Sequence, residues 1–254
     1  KTNFLMKKLF IIATFISLIS CKESSDTSSK IITGDKEITL EEIWNGTFSP
    51  KRMNALNSMN GDFYSLLNSD QNGNTTVDKY NYETLEKVET IVNSKDLKEL
   101  NSFESYSFNN DETKLILGTN FNKIYRRSYT GTFYAYDIAS KKMSLIGEDI
   151  QEPIFSPDNQ KVAFAKNNNL FIKDFSKNKL TQITKDGKKN SIINGITDWV
   201  YEEEFGFVRA FEWSKDSKYL AFLRFDETNV PTFSMDIVGK ELYPNQQVFK
   251  YPKA

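Results

Sequence analysis

Three consecutive carboxylates, Glu202, Glu203 and Glu204, stand in the run Asp198-Trp-Val-Tyr-Glu-Glu-Glu-Phe205 among aromatic neighbours. Adjacent like charges repel, and each carboxylate alone prefers water. Trp199, Tyr201 and Phe205 seek the interior and draw the carboxylates toward a partly dry site. A carboxylate pair held there calls for a cation. The chain has no histidine and no Asp-x-Asp-x-Asp-Gly loop of the calcium type, so no metal is expected and an organic ammonium is the natural guest. The plainer alternative is an acidic turn on the surface. A second constellation is Tyr125-Arg-Arg-Ser-Tyr-Thr130. Only five arginines occur against 28 lysines, and Arg126 and Arg127 are adjacent. A guanidinium presents a planar fork that grips a carbonyl or carboxylate. An exposed pair at a strand end, or an ion pair with the glutamates, would account for the same residues.

The rest of the composition narrows the chemistry. The absence of histidine and the presence of a single cysteine remove Ser-His-Asp and Cys-His catalysis, His-ligated zinc, CxxC redox chemistry and any internal disulfide. If this chain takes part in hydrolysis, its proton shuttle lies elsewhere, and no cofactor is implied. A net charge of −1 gives no basic excess to condense on phosphate, so no nucleic-acid partner is expected. With 254 residues, 39% of them hydrophobic, the chain can build one large domain or two small ones around a core.

The elements that must position these residues are repeated strands. Four segments share one form, a Leu or aromatic, a short polar turn and then a β-prone run. They begin at Leu56, Phe108, Phe155 and Trp213, spaced 52, 47 and 58 residues apart. A turn such as Ser156-Pro-Asp-Asn159 is hairpin chemistry, because Pro presets φ and Asp or Asn accepts backbone donors. After each hairpin comes a further strand pair, as in 132–138 with 142–146 and 169–175 with 179–184, so each unit supplies about four strands. Repetition near this length predicts an all-β chain, a β-propeller of about four blades, over a sandwich of ordinary hairpins. The 20 Phe, 12 Tyr and 3 Trp suit blades that pack large side chains against each other. Helix signal is scarce. The best candidate is 39–46, where Thr39 caps with Glu42 three residues on and Gly46 stops a helix too short to stand without docking.

Residues 1–21 are not fold material. Met6-Lys-Lys8 is basic, and 9–20 is an apolar run of twelve that ends at the lone cysteine, Cys21. That is an export signal, too short for a membrane span of roughly 20 apolar residues. The sequence Leu18-Ile-Ser-Cys21 resembles the lipobox of bacterial lipoproteins, which implies cleavage before Cys21 and lipidation of its thiol. The expectation is an exported, membrane-anchored lipoprotein, periplasmic or on the cell surface, with residues 22–37 as a flexible tether. The chain opens at Lys1, and Met6 is the plausible start.

Asp198-Trp-Val-Tyr-Glu-Glu-Glu204 resembles the propeller glutamate motif of the dipeptidyl peptidase IV family, among the prolyl-oligopeptidase-like serine peptidases. Tyr125-Arg-Arg-Ser-Tyr-Thr-Gly131 resembles that family's arginine segment. Phe225-Asp-Glu-Thr-Asn-Val-Pro231, with Lys250-Tyr-Pro-Lys-Ala254, is similar to the stretch around its extended propeller arm. The matches run in order from about Ile38 to the last residue. The resemblance implies an eight-bladed propeller capping an α/β-hydrolase domain, and release of dipeptides from peptides with a free N-terminus when proline or alanine is second. It implies that Glu203 and Glu204 grip the substrate's α-ammonium, that Glu202 is structural, and that Arg126 contacts the bound dipeptide's backbone carbonyl, with Arg127 where the family varies. Residues 38–50 would pack on the hydrolase domain and 51–254 would form the partial propeller. A homodimer through the arm, around 225–254, is implied as well. No Gly-x-Ser-x-Gly elbow occurs before Ala254, so the catalytic Ser, Asp and His are expected beyond this chain, which would be inactive alone. The competing readings are a non-catalytic surface lipoprotein whose propeller binds glycans or proteins, and a relative that releases tripeptides.

Overall fold

A computed structural model describes residues 38–50 and 55–251. The expected leader, the lipidation site at Cys21 and the tether over 22–37 lie outside the described residues. Among the described residues no helix is long and apolar enough to cross a membrane. The chain divides into two units, Lys1–Arg52 and Met53–Ala254. In the first, α1 (Leu40–Trp44) forms as its capping box predicts. Thr39 Oγ1 accepts from the Glu42 amide at 3.2 Å, and the Glu42 carboxylate accepts from the Thr39 amide at 3.2 Å. None of its residues is buried, and Leu40 and Trp44 are exposed.

The second unit is built of antiparallel strands. Strands β1 (Leu56–Ser58), β2 (Phe63–Ser69), β3 (Thr75–Asn81) and β4 (Lys87–Asn93) make a four-stranded sheet in sequence order. A seven-stranded sheet follows, with β5 (Ser105–Phe108), β6 (Lys114–Lys123), β7 (Tyr129–Asp137), β8 (Lys142–Phe155), β9 (Lys161–Lys166), β10 (Asn169–Asp174) and β11 (Lys179–Gln182). It is two blades joined through one strand. The first part of β8 pairs with β7 as far as Ile150, and from Gln151 it pairs with β9. The switch falls where Asp149 and Glu152 take φ of 52° and 53°. A fourth, incomplete blade contains β12 (Ile192–Asn194) paired with β15 (Arg224–Asp226) and β13 (Phe211–Trp213) paired with β14 (Leu220–Phe222). The arm is a separate hairpin of β16 (Thr232–Ile237) and β17 (Asn245–Lys250). The expected propeller of about four blades is what the chain forms.

The blades are buried on both faces, which is why their inner strands read as unbroken apolar runs rather than alternating ones. In β6, Leu115 and Leu117 join Val77, Val92 and Phe103 in a core facing the first blade, while the intervening Ile116 joins Phe133, Ile150, Val162 and Phe164 on the other side. In β9 the same division sends Val162 and Phe164 back to that core and Ala163 and Ala165 forward to Leu170, Phe211 and Trp213. Each such Leu, Ile or Phe contributes roughly 1.5–3 kcal/mol by leaving water.

Hairpin turns repeat at one end of these strands. In three of them the first turn residue donates its amide across the hairpin, Asn109 to Lys114, Ser156 to Lys161 and Ser214 to Tyr219, at 2.8–3.1 Å. Asp111, Asp158 and Asp216 each accept an amide two residues on, at 3.1–3.2 Å. Glu112, Asn159 and Ser217, one residue after the Asp, have φ of 57°, 60° and 59°. Those three side chains also tie neighbouring blades together. Glu112 accepts from the Asn60 amide at 2.6 Å, Asn159 donates to Asp111 at 2.7 Å, and Ser217 accepts from the Asp158 amide at 2.9 Å. The first turn is tighter, closing Met59 onto Phe63 with Gly61 at φ 75°, so Ser58 rather than Leu56 occupies the strand-end position of that repeat.

Candidate functional site

The glutamate run is a helix, α2 (Trp199–Phe205), where the sequence reading had placed none. Asp198 is its N-cap, accepting the Tyr201 amide at 2.8 Å, and Gly206 ends it in the left-handed conformation at φ 73°, donating to the Glu202 carbonyl. The helix is an excursion between β12 and β13, clamped at its base where the Thr197 amide donates to the Val208 carbonyl at 3.0 Å and Thr197 Oγ1 to the Phe207 carbonyl at 3.0 Å.

Helical geometry sends the three carboxylates in different directions, since successive side chains point about 100° apart. Glu202 faces inward and is 1% exposed. Glu203 keeps a side chain 16% exposed, and Glu204 is exposed. The aromatic flanks do not pull all three inside: Tyr201 is 37% and Phe205 67% exposed. They pack on each other at the surface instead, with Tyr201 ring centroids 5.1 Å from Phe205 and 4.8 Å from Phe225. The expected pair of desolvated carboxylates is therefore one largely buried group, Glu203, beside one in water, Glu204.

The arginine segment is the tight turn between β6 and β7. The Ile124 amide donates to the Ser128 carbonyl at 2.9 Å, and Ser128 Oγ accepts from the Tyr125 amide at 3.2 Å. Glu202 joins this turn to α2: its Oε1 accepts the amides of Arg127 at 2.5 Å and Ser128 at 2.9 Å. A buried carboxylate is tolerated there because two charge-assisted hydrogen bonds satisfy it. The two constellations are thus brought together, and Arg126 Nε lies 3.1 Å from Glu203 Oε2. Of the alternatives open at the level of sequence, an ion pair with the glutamates describes Arg126. The side chain of Arg127 is exposed.

Sequence reasoning missed three groups beside α2. Glu227, just past β15, is 7% exposed, and its carboxyl is pushed up to about 7, first by burial and then by Asp198, with Lys250 opposing. The Tyr125 phenol is raised by burial and by Glu227, Glu202 and Asp198. Glu152, at the kink in β8, is raised by burial, with Arg209 opposing and Glu202 adding. No local pattern marks a glutamate at a strand end as buried. Among the described residues no group of three or more His, Cys, Asp or Glu could hold a metal ion.

The model of the dipeptidyl peptidase IV N-terminal region matches residues 109–254. Prolyl endopeptidase FAP of Homo sapiens is 34% identical over 224 residues, covering 86% of this chain and 28% of the relative. Dipeptidyl aminopeptidase B of Saccharomyces cerevisiae is 32% identical over 235 residues, 87% of this chain and 28% of the relative. The crystal structure of Porphyromonas gingivalis dipeptidyl peptidase 4 superposes with a TM-score of 0.77 at 37% identity, covering 87% of this chain and 32% of that one. This chain spans under a third of the length of these relatives.

Proposed function

Because the chain belongs to the dipeptidyl peptidase IV family, through its N-terminal region, we propose that it is the substrate-gating propeller part of a serine exopeptidase that releases Xaa-Pro and Xaa-Ala dipeptides from free peptide N-termini. The observation that carries this reading is the junction made by Glu202, which sets Arg126 against Glu203. A substrate's α-ammonium, with a pKa near 8, is mostly charged at neutral pH. It would take Glu203 and Glu204 and displace the Arg126 guanidinium, whose side chain is 72% exposed and so moves at small cost. Arg126, released within reach, would turn its fork to the backbone carbonyl of the same dipeptide. One anion would thus trade an internal cation for the substrate's, and the freed internal cation would hold the next group along. A blocked N-terminus offers nothing to exchange. The distance from this anchor to a serine nucleophile on a hydrolase domain then counts out two residues.

Two further expectations belong to the same reading. The arm exposes Phe233, Met235 and Ile237 on one face of its hairpin, an apolar surface suited to pairing with a second copy. Lipidation at Cys21 would tether the enzyme to a membrane with its propeller outside the cytoplasm. The test uses the complete enzyme and a Gly-Pro chromogenic substrate. Glu203→Gln and Glu204→Gln should each lower kcat/KM by about 100-fold or more, the scale of a lost charge-assisted contact at the reacting complex. Near wild-type rates in both would overturn the anchor.

A further inference from the structure

A cavity of about 490 Å³ opens at the base of the arm, where the chain leaves β15 for β16. Tyr125 and Trp199 give it aromatic walls, Val248 and Phe249 of β17 an apolar side, and Asp198 and Glu227 its acidic groups. Neither Glu203 nor Glu204 lines it, so it is separate from the anchor proposed above.

The charges around it are arranged in two tiers. Asp198 and Glu227 are 8% and 7% exposed. Asp198 is already engaged by the Tyr201 amide, but no protein donor hydrogen-bonds the Glu227 carboxyl among the described residues. Lys250, the cation facing it, instead gives its Nζ to the carbonyls of Thr228 at 3.4 Å and Val230 at 2.5 Å. A carboxyl so buried and so poorly matched is costly unless something else supplies a donor. Around the same cavity stand Lys188 and Lys189, both exposed and without an ion-pair partner among the described residues. A purely cationic guest would meet those lysines, and a purely anionic one the buried acids. We propose that the cavity binds a small zwitterion of amino-acid or dipeptide size, its ammonium on Glu227 and Asp198 against the faces of Trp199 and Tyr125, and its carboxylate toward Lys188 and Lys189. Aromatic faces attract ammonium groups, which strengthens the inner end.

Protonation adds a signature. The groups facing Glu227 are Asp198, Lys250 and Tyr125, and burial holds its carboxyl up to about 7. An ammonium selects the ionised form, so binding ejects a proton and tightens as pH rises from about 6 through about 7, until the ligand's own ammonium, with a pKa near 8, begins to lose its charge.

The test is calorimetric titration of the complete protein, its serine nucleophile first blocked with a fluorophosphonate so that no ligand is cleaved, with Ala-Ala, with N-acetyl-Ala-Ala and with Ala-Ala amide. Acetylation should weaken binding at least about tenfold, the amide should weaken it several-fold, and proton release should accompany the unmodified dipeptide. The same pattern should persist in a Glu203→Gln/Glu204→Gln background, which silences the anchor proposed above, and should vanish in Glu227→Gln. Equal affinity for the acetylated ligand, no binding in the double variant, or unchanged binding in Glu227→Gln overturns the site. The ligand comparison needs no variant at Glu227, so a folding defect there cannot mask the result.

Discussion

In the turns that follow Phe108, Phe155 and Trp213, an aspartate of the turn itself caps an amide two residues on. In the turn between β6 and β7, the amides of Arg127 and Ser128 are capped by Glu202, 75 and 74 positions away in sequence. Both arrangements satisfy backbone donors at a hairpin end. They differ in what must already be folded. A local cap forms with its own hairpin, and the bonds between neighbouring turns are added to a turn already closed. A cap from α2 makes the arginine turn depend on the helix, and the helix on the clamp between Thr197 and Val208. The blades repeat the first device, and the site is built on the second, which fixes Arg126 and Glu203 relative to each other through one buried carboxylate.

Removing that carboxylate should therefore have the largest effect. Glu202→Ala leaves two amides without their acceptor and opens a void, with an expected loss of about 3 kcal/mol. Glu202→Gln keeps an acceptor oxygen of nearly the same shape and should cost about half as much. Urea unfolding measures both, and the contrast between the two regions breaks if Glu202→Ala costs no more than a change in a blade turn.

Ser217→Ala supplies that reference. It removes one hydrogen bond between turns, to the Asp158 amide, while the hairpin keeps its own cap from Asp216. The expected loss is about 1 kcal/mol. Since Ser217 and Glu202 have no hydrogen-bond partner in common, the double variant should be additive to within about 0.5 kcal/mol. A larger departure would mean that the turns and the site fold as one network.

The same difference explains what was legible in the sequence. The blade turns could be read because Ser156-Pro157-Asp158-Asn159 states its conformation in four adjacent residues, and the cores because an inner strand facing two neighbours must be apolar at every position, as 162–165 is. The capping box of α1 is equally local. In α2 the local terms disagree. Asp198 and Gly206 are good helix boundaries with seven residues between them, but Trp199, Val200, Tyr201 and Phe205 are poor helix formers and the three glutamates repel. What settles the helix is tertiary: Glu202 reaches a turn that lies more than 70 residues earlier. That contact also fixes which glutamate is buried, which no flanking residue could announce. Glu227 is likewise buried beside residues distant in sequence, Tyr125, Asp198 and Lys250, and left no mark in its own neighbourhood.

The smallest stability effect belongs to the residue with the most to do in the proposed function. Arg126 touches Glu203 through a single contact at 3.1 Å, with its own side chain 72% exposed. Ion pairs of that kind contribute about 0–1 kcal/mol, and the turn that carries Arg126 is held by its backbone, through Glu202 and Ser128, rather than by the guanidinium. Arg126→Ala should therefore lower the stability read by urea unfolding by no more than about 0.5 kcal/mol, while in the complete enzyme it raises KM for a dipeptide substrate about tenfold. Adding Glu202→Ala should then lower stability as much as it does in the parent protein and reduce catalysis further, because Glu203 and Glu204 still depend on the helix that Glu202 ties down. If Arg126→Ala instead costs as much stability as Glu202→Ala, the ion pair is itself part of the framework and does not exchange with a substrate ammonium.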